Sequence, residues 1–164
     1  MKYLIIGLLL ISLICTACGQ NAVLDNDKYG YSIEYPENWE LELNAISTPD
    51  IHADYIWAPR PYKGMVSITV YNNYSNLISE AASAVVDQCR ADYKDVIVIQ
   101  NGKNCIDWDW CLTIDYQDPG SGYFRDFYYY KKKGNRLYEI QTTASKDDYD
   151  TLAIDRLIAT FRLK

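Results

Sequence analysis

The chain predicts an α+β fold, an antiparallel β-sheet flanked by helices as a sandwich. Three observations carry that prediction. Short runs of alternating apolar and polar residues recur along most of the chain, and turn signals rich in Asn, Gly and Pro separate them. The alternation gives way to a helical period only twice, once in mid-chain and once at the end. The composition agrees: at 164 residues and 49% hydrophobic, with 16 Tyr, 4 Trp and 3 Phe, the chain can fill the core of one domain, and a net charge of −6 is too modest for disorder. The acidic balance argues against nucleic acid as a partner. The single histidine, His52, excludes multi-histidine metal sites and leaves any histidine-activated nucleophile dependent on one residue.

The first residues stand apart from the sandwich. Lys2 is a positive start, Tyr3 to Cys15 is apolar apart from Gly7 and Ser12, and Thr16 and Ala17 are small. This predicts a signal peptide over 1–17, too short for a membrane span. Cys15-Thr16-Ala17-Cys18-Gly19 resembles a bacterial lipobox, with Cys15 at a position where Leu is usual. The resemblance implies a lipidated, palmitate-bearing Cys18 that anchors the protein to a membrane of the bacterial cell envelope, on its extracytoplasmic face. Several acyl chains on one cysteine hold firmly, whereas one does not. Residues 18–28, polar and poor in large apolar side chains, read as a tether, and 29–164 as the globular domain.

Tyr29, Tyr31, Ile33 and Tyr35 alternate up to Pro36, which predicts a half-buried strand. After a turn at Pro36-Glu37-Asn38, Trp39, Leu41 and Leu43 alternate with Glu40 and Glu42, a second strand with its apolar residues inward. Residues 46–54 show little period. Tyr55-Ile56-Trp57 and Met65 to Tyr71 predict two further strands around breaks at Pro59, Pro61 and Gly64. From Asn76, Leu77, Ala81, Val85, Cys89 and Tyr93 recur every four residues, an amphipathic helix capped by Ser75 or Asn76. Val96 to Gln100 is a β-branched run ending in the hairpin signal Asn101-Gly102. A long strand is then predicted, with Ile106, Trp108, Trp110, Leu112, Ile114 and Tyr116 on one face. Cys105, Asp107, Asp109, Cys111, Thr113 and Asp115 lie on the other. Tyr123 to Lys132 and Arg136 to Thr143 form a hairpin over Lys133-Gly134-Asn135. Ser145 to Asp148 is a capping-box pattern that opens a final helix with Ile154, Leu157, Ile158 and Phe161 on its apolar stripe.

Tyr29-Gly30-Tyr31-Ser32-Ile33-Glu34-Tyr35-Pro36-Glu37-Asn38-Trp39 resembles the opening motif of PsbP-like domains. The close is also similar to that family, with Leu137-Tyr138-Glu139-Ile140 followed by a helix running into Ile158-Ala159-Thr160-Phe161. Together they bracket 28–164, the middle matching by order of elements. The resemblance implies a PsbP-like α/β/α sandwich in a mostly non-catalytic family. Its plant and cyanobacterial members are extrinsic lumenal subunits of photosystem II that help retain calcium and chloride, and many bacterial relatives are lipoproteins. It therefore implies a non-enzymatic accessory or docking protein that binds a membrane-associated protein assembly. The alternative is a small-ligand or calcium-binding module.

The candidate sites follow from the same pattern. Asp107, Asp109 and Asp115, with Asp118 in the loop beyond, offer oxygens to a hard cation such as calcium, although carboxylates two apart on a strand stand about 7 Å from each other and need loop oxygens as well. No other cofactor is expected. Asp25-Asn26-Asp27 fails as an EF-hand loop, because Tyr29 and Pro36 occupy required acidic positions. Cys105 and Cys111 stand about 20 Å apart on a continuous strand. Two readings remain: a bridge from Cys89 to Cys111, or to Cys105, across helix and sheet, or three free thiols. Lys131, Lys132 and Lys133 at the hairpin tip, with Tyr129 beside them, read either as a solvated turn or as residues that steer docking onto an anionic surface. Tyr128 to Tyr130 place aromatics on both faces of one strand, so one face is core. The other is a second core layer under a helix or an exposed platform. His52 lies between Asp50 and Asp54 with no positioned nucleophile, so no catalytic residue is assigned.

Overall fold

Period-two runs produce ten strands and one helical stripe produces the main helix, and the way these elements cover one another places the candidate site. The structure, a computed structural model, describes residues 20–103 and 105–164; the signal segment and Cys18 lie outside the described residues. The order is β1 (Asn21–Asn26), β2 (Tyr31–Pro36), β3 (Glu40–Ser47), β4 (Ile51–Trp57), β5 (Gly64–Tyr71), α1 (Ile78–Asp92), β6 (Lys94–Gly102), β7 (Trp110–Asp118), β8 (Gly122–Lys133), β9 (Arg136–Ser145), α2 (Tyr149–Leu152), α3 (Ile154–Ile158) and β10 (Arg162–Leu163). A small sheet runs β1-β2-β10, and a seven-stranded sheet runs β3-β4-β5-β9-β8-β7-β6. All pairings are antiparallel, so this is the α+β architecture that the alternation predicts.

Two hydrophobic layers hold the sandwich together. Ile56, Val66, Ile68 and Ile140 face the small sheet, where Tyr31 and Ile33 of β2 meet them with Leu157 and Ile158 of α3. On the opposite face Leu112, Ile114, Tyr128 and Tyr130 pack under Ala82, Val86 and Cys89 of α1. Leu112, Ile114, Ile68 and Ile140 are fully excluded from solvent. Burial of a side chain of this size is worth about 1.5–3 kcal/mol. The helix packs most closely on β6 and β7, and a cleft remains between its other flank and strands β5 and β9.

The first layer is pinned by a buried carboxylate. Asp54 of β4 has no solvent exposure. It accepts hydrogen bonds from the Tyr31 hydroxyl of β2 and from Asn26 Nδ2 of β1 at 2.9 Å. The Asn44 backbone N–H of β3 also donates to it, at 2.7 Å. His52, two residues away on the same face of β4, places Nε2 3.0 Å from Asp54 Oδ2. A β-bulge between Glu42 and Ile46, with Asn44 at φ 56°, aims that N–H at the carboxylate. Tyr29 closes the network by stacking on His52, ring centroids 3.7 Å apart and planes 9° from parallel. Burial pushes the Asp54 carboxyl up, but the bonds from Tyr31, Asn44, His52 and Asn26 outweigh it and hold the group below its ordinary value.

Several expectations are corrected. Of the predicted tether 18–28, residues 21–26 form β1, paired with all of β2. Its polar look arises because Leu24 alone is buried there, while Asn26 points inward as a hydrogen-bond donor. Leu43, predicted inward, is exposed because the bulge turns it out. Residues 46–54 are regular strand and turn. Their period is hidden because His52, Ala53 and Asp54 are all buried, on both faces of β4. Helix α1 begins after Leu77, whose N–H is accepted by Glu80 Oε2 at 3.2 Å, and not at Ser75 or Asn76. The final helix is two short pieces, broken at Ala153 with φ 50°.

The largest correction concerns the cysteines. The predicted long strand starts only at Trp110, because Cys105 to Asp109 turn back as a loop through Asp107 at φ 65°. The turn brings the Cys105 and Cys111 Cα atoms within 6.1 Å, and these two form the disulfide. Cys89 is left as a buried free thiol, not the partner of Cys111 or Cys105. The spacing of about 20 Å holds only for an unbroken strand.

Two outcomes are expected. Asp54→Ala should lower stability by about 3 kcal/mol in denaturant melts, because it strands the buried Tyr31 hydroxyl and the part-buried donors of Asn26 and Asn44. The stability that Asp54 contributes is present above its unfolded value and lost as pH falls through its lower folded value, so Asp54→Asn should flatten the acid limb below about pH 4. A variant with the wild-type midpoint would refute the pin. Peptide mapping under non-reducing conditions should recover Cys105 linked to Cys111, with Cys89 alkylated only after unfolding.

Candidate functional site

Strand alternation sends Leu137, Glu139, Gln141 and Thr143 of β9 to the face that α1 shares. These four residues run along the bottom of a trough-shaped cleft between α1 and strands β5 and β9. Three cavities of about 430, 420 and 410 Å³ follow one another along it. The first lies between α1 and β5, lined by Tyr71, Tyr74, Glu80, Ala84, Leu137 and Glu139. The second shares Glu139 and Gln88 with it and extends to Cys89, Asp126, Gln141 and Thr143. The third shares Met65 and Thr143 with the second and ends in an aromatic pocket of Trp57, Tyr62 and Phe124.

Two buried carboxylates sit in the trough. Asp126 of β8 is 3% exposed and accepts from Tyr116 Oη at 3.2 Å, Tyr128 Oη at 3.1 Å and Gln141 Nε2 at 3.0 Å. Burial pushes its carboxyl up to about 6, against the pull of Gln141, Thr143, Tyr128 and Tyr116. Glu139 is 8% exposed, and burial pushes it up to about 7, against the hydroxyls of Tyr130 and Tyr71. Among the described residues neither carboxylate has a Lys or Arg partner. Cys89 faces the same space, and burial pushes its thiol up to about 11, where it is a poor nucleophile. The arrangement is suited to binding: it offers aromatic walls, polar hydrogen-bonding floor groups and unpaired negative charge.

The sequence-predicted residues fall elsewhere. Asp107 and Asp109 lie in the loop before β7 and Asp115 lies within the strand, so the three do not form one strand row. Asp115 takes two bonds from Arg125 at 2.6 and 2.8 Å and an ion pair from Lys146 at 2.8 Å; Arg125 holds its carboxyl below the ordinary range. Asp109 pairs with Lys131 at 3.3 Å. Among the described residues no three metal-ligating side chains converge. The three lysines do not make one basic patch either. Lys131 is held by Asp109 and the Asp107 carbonyl, Lys132 lies over the Tyr74 ring at 5.7 Å, and Lys133 donates to the Lys164 carbonyl. Tyr129 is half-buried against Trp108 and Phe127. Tyr128 and Tyr130 form the second core layer under α1.

Glu139 and Asp126 escaped the sequence reading because a charged residue in an alternating strand reads as solvated. One signal was available: Asp126 shares its strand face with Tyr128 and Tyr130, and a carboxylate inside an aromatic row needs partners.

No family model and no curated protein matches the chain. Solved structures do resemble it. The solution structure of cyanobacterial PsbP from Synechocystis is similar with a TM-score of 0.64, covering 92% of this chain and 96% of that one at 13% identity. The Ran-binding protein Mog1p of Saccharomyces cerevisiae is similar with a TM-score of 0.55, covering 88% and 95% at 6% identity. At such identities the likeness is one of fold, and the fold is PsbP-like.

Glu139 gives a signed pH prediction. The groups facing it are Tyr71 of β5, Tyr130 of β8 and, across the cavity, Glu80 of α1 with Tyr74 before it. Its folded value is raised, so its stabilising contribution is complete below the unfolded value and lost as pH rises through about 7. Glu139→Gln should therefore match wild type at pH 4 and exceed it at pH 8 by about 2–3 kcal/mol, read as chemical-denaturation midpoints. Equal stability at pH 8 would rule out a buried, raised carboxyl.

Proposed function

We propose that this protein is a non-catalytic accessory protein of the bacterial cell envelope. In this reading it is a PsbP-related lipoprotein anchored through Cys18, and it docks on a membrane-associated protein assembly. The observation that carries the reading is the cleft between α1 and strands β5 and β9, where tyrosine walls surround two carboxylates that have no cation among the described residues. The one histidine supports it from the other side. His52 is fully buried beneath Tyr29 and spends Nε2 on Asp54, so it has no access to a substrate. The Cys105–Cys111 disulfide suits an oxidising compartment, as does the signal segment. The Ran-binding neighbour is a precedent for this fold in a protein-binding role.

Alkyne-palmitate labelling should mark the wild type and not Cys18→Ser. A photo-crosslinking residue at Ala84, on the exposed wall of the trough, should capture a membrane protein of fixed stoichiometry. The same residue at Val23, exposed on β1 in the opposite layer, should not. Equal capture at both positions, or capture at neither, would overturn the docking reading.

A further inference from the structure

The trough has a length and a polarity that specify its occupant. Leu137 to Thr143 cover six residue steps of β9, about 20 Å at the rise of an antiparallel strand. The Leu137 end is acidic and aromatic: Glu139 and Glu80 line the same cavity as Tyr71 and Tyr74, whose rings are 6.2 Å apart. At the rim of that end Lys132 already lies over Tyr74, so the pocket's own aromatic takes a cation. The Thr143 end is apolar: Trp57, Tyr62, Met65 and Phe124 surround the third cavity, and Trp57 and Tyr62 are 39% and 40% exposed. Between the ends, Gln141 and Gln88, whose Nε2 groups are held by Asp126 and Asp92, offer their amide oxygens to a passing backbone.

Glu139 is the group that points to a ligand. It is more than nine-tenths buried, lines two of the three cavities and has no cationic partner among the described residues. A carboxylate kept out of water in this way gains most from an arriving ammonium or guanidinium. An apolar cleft alone would suit many occupants; Glu139 and the aromatic end at Thr143, four strand steps or about 14 Å apart, suit an extended chain bearing two different side chains.

We infer that the trough binds an extended polypeptide segment of a partner protein, with a Lys or Arg seated at Glu139 and an aromatic or large apolar side chain, about four residues away, seated between Trp57 and Phe124. This rests on the docking reading above and deepens it by naming the recognised segment. Specificity comes from the spacing of the two anchors, and the Gln141 and Gln88 amides serve the peptide backbone between them.

Fluorescein-labelled peptides with one Lys and one Phe, separated by three Ser/Thr spacers, test the idea on the full chain in detergent. The matched peptide should bind at least about tenfold more tightly than versions with Lys→Glu, with Phe→Ser, or with an eight-residue spacer. Glu139→Gln should weaken the Lys-bearing peptide about tenfold and leave the Lys→Glu version unchanged. Ala84→Arg, at an exposed helix position that leaves the core intact, should place a competing cation in the trough and abolish the preference. Equal affinity across the peptide set, or unchanged binding by both variants, would overturn the inference, as would free acetyl-lysine amide binding as tightly as the peptide. If the peptides fail while the Ala84 crosslink to an assembly persists, the docking reading stands and only the segment is wrong.

Discussion

The fold turns on one buried carboxylate. Asp54 joins β4 to β2 through Tyr31, to β1 through Asn26 and to β3 through the Asn44 N–H, so four strands from two sheets share one acceptor. Hydrophobic packing between layers is non-directional and tolerates sliding. Hydrogen bonds to a charge shielded from water do not, because each displaced donor leaves an expensive unmet group. The network thus sets how the small sheet sits on the large one. It also explains the fate of the single histidine: His52 is committed to Asp54 on one edge and covered by Tyr29 on its face, which makes it part of the pin.

A second constraint follows from coverage. Seven strands present a wide sheet, and one helix of 15 residues spans only part of it. On the side of the small sheet the remaining area is closed by α2, α3 and the Trp108 loop, whose ring packs on Phe161 at 5.5 Å. On the α1 side, among the described residues, a cleft remains between α1 and strands β5 and β9. Two carboxylates, Glu139 of β9 and Asp126 of β8, line it and stay buried without a cation. Their raised values record the cost of keeping charge there, a cost that protein folds accept mainly where the group is used.

The legible part of the sequence is the part that depends on local alternation. Ile33 and Tyr35, the pair Leu112 and Ile114, and the stripe of Ala82, Val86 and Cys89 are all buried as their periods require. What local pattern could not resolve was burial on both faces of a strand. The stretch at His52, Ala53 and Asp54 looked irregular because β4 is covered on both sides, and β1 looked like a tether because one of its inward residues is Asn26. Similarly, Asp107, Asp109 and Asp115 looked like a row only while the strand was taken as continuous through Cys105.

By itself, then, the sequence determined the α+β class, the order of most strands and the position of α1. These are properties of short segments, and side-chain period and turn chemistry act within such segments. Tertiary structure alone decided that Cys105 pairs with Cys111, that Asp115 is held by Arg125, and that Glu139 and Asp126 line the trough while His52 is sealed. Each of these depends on strand register and on which face a distant helix covers, and residues far apart in the chain become neighbours only when the sheets and helix are stacked.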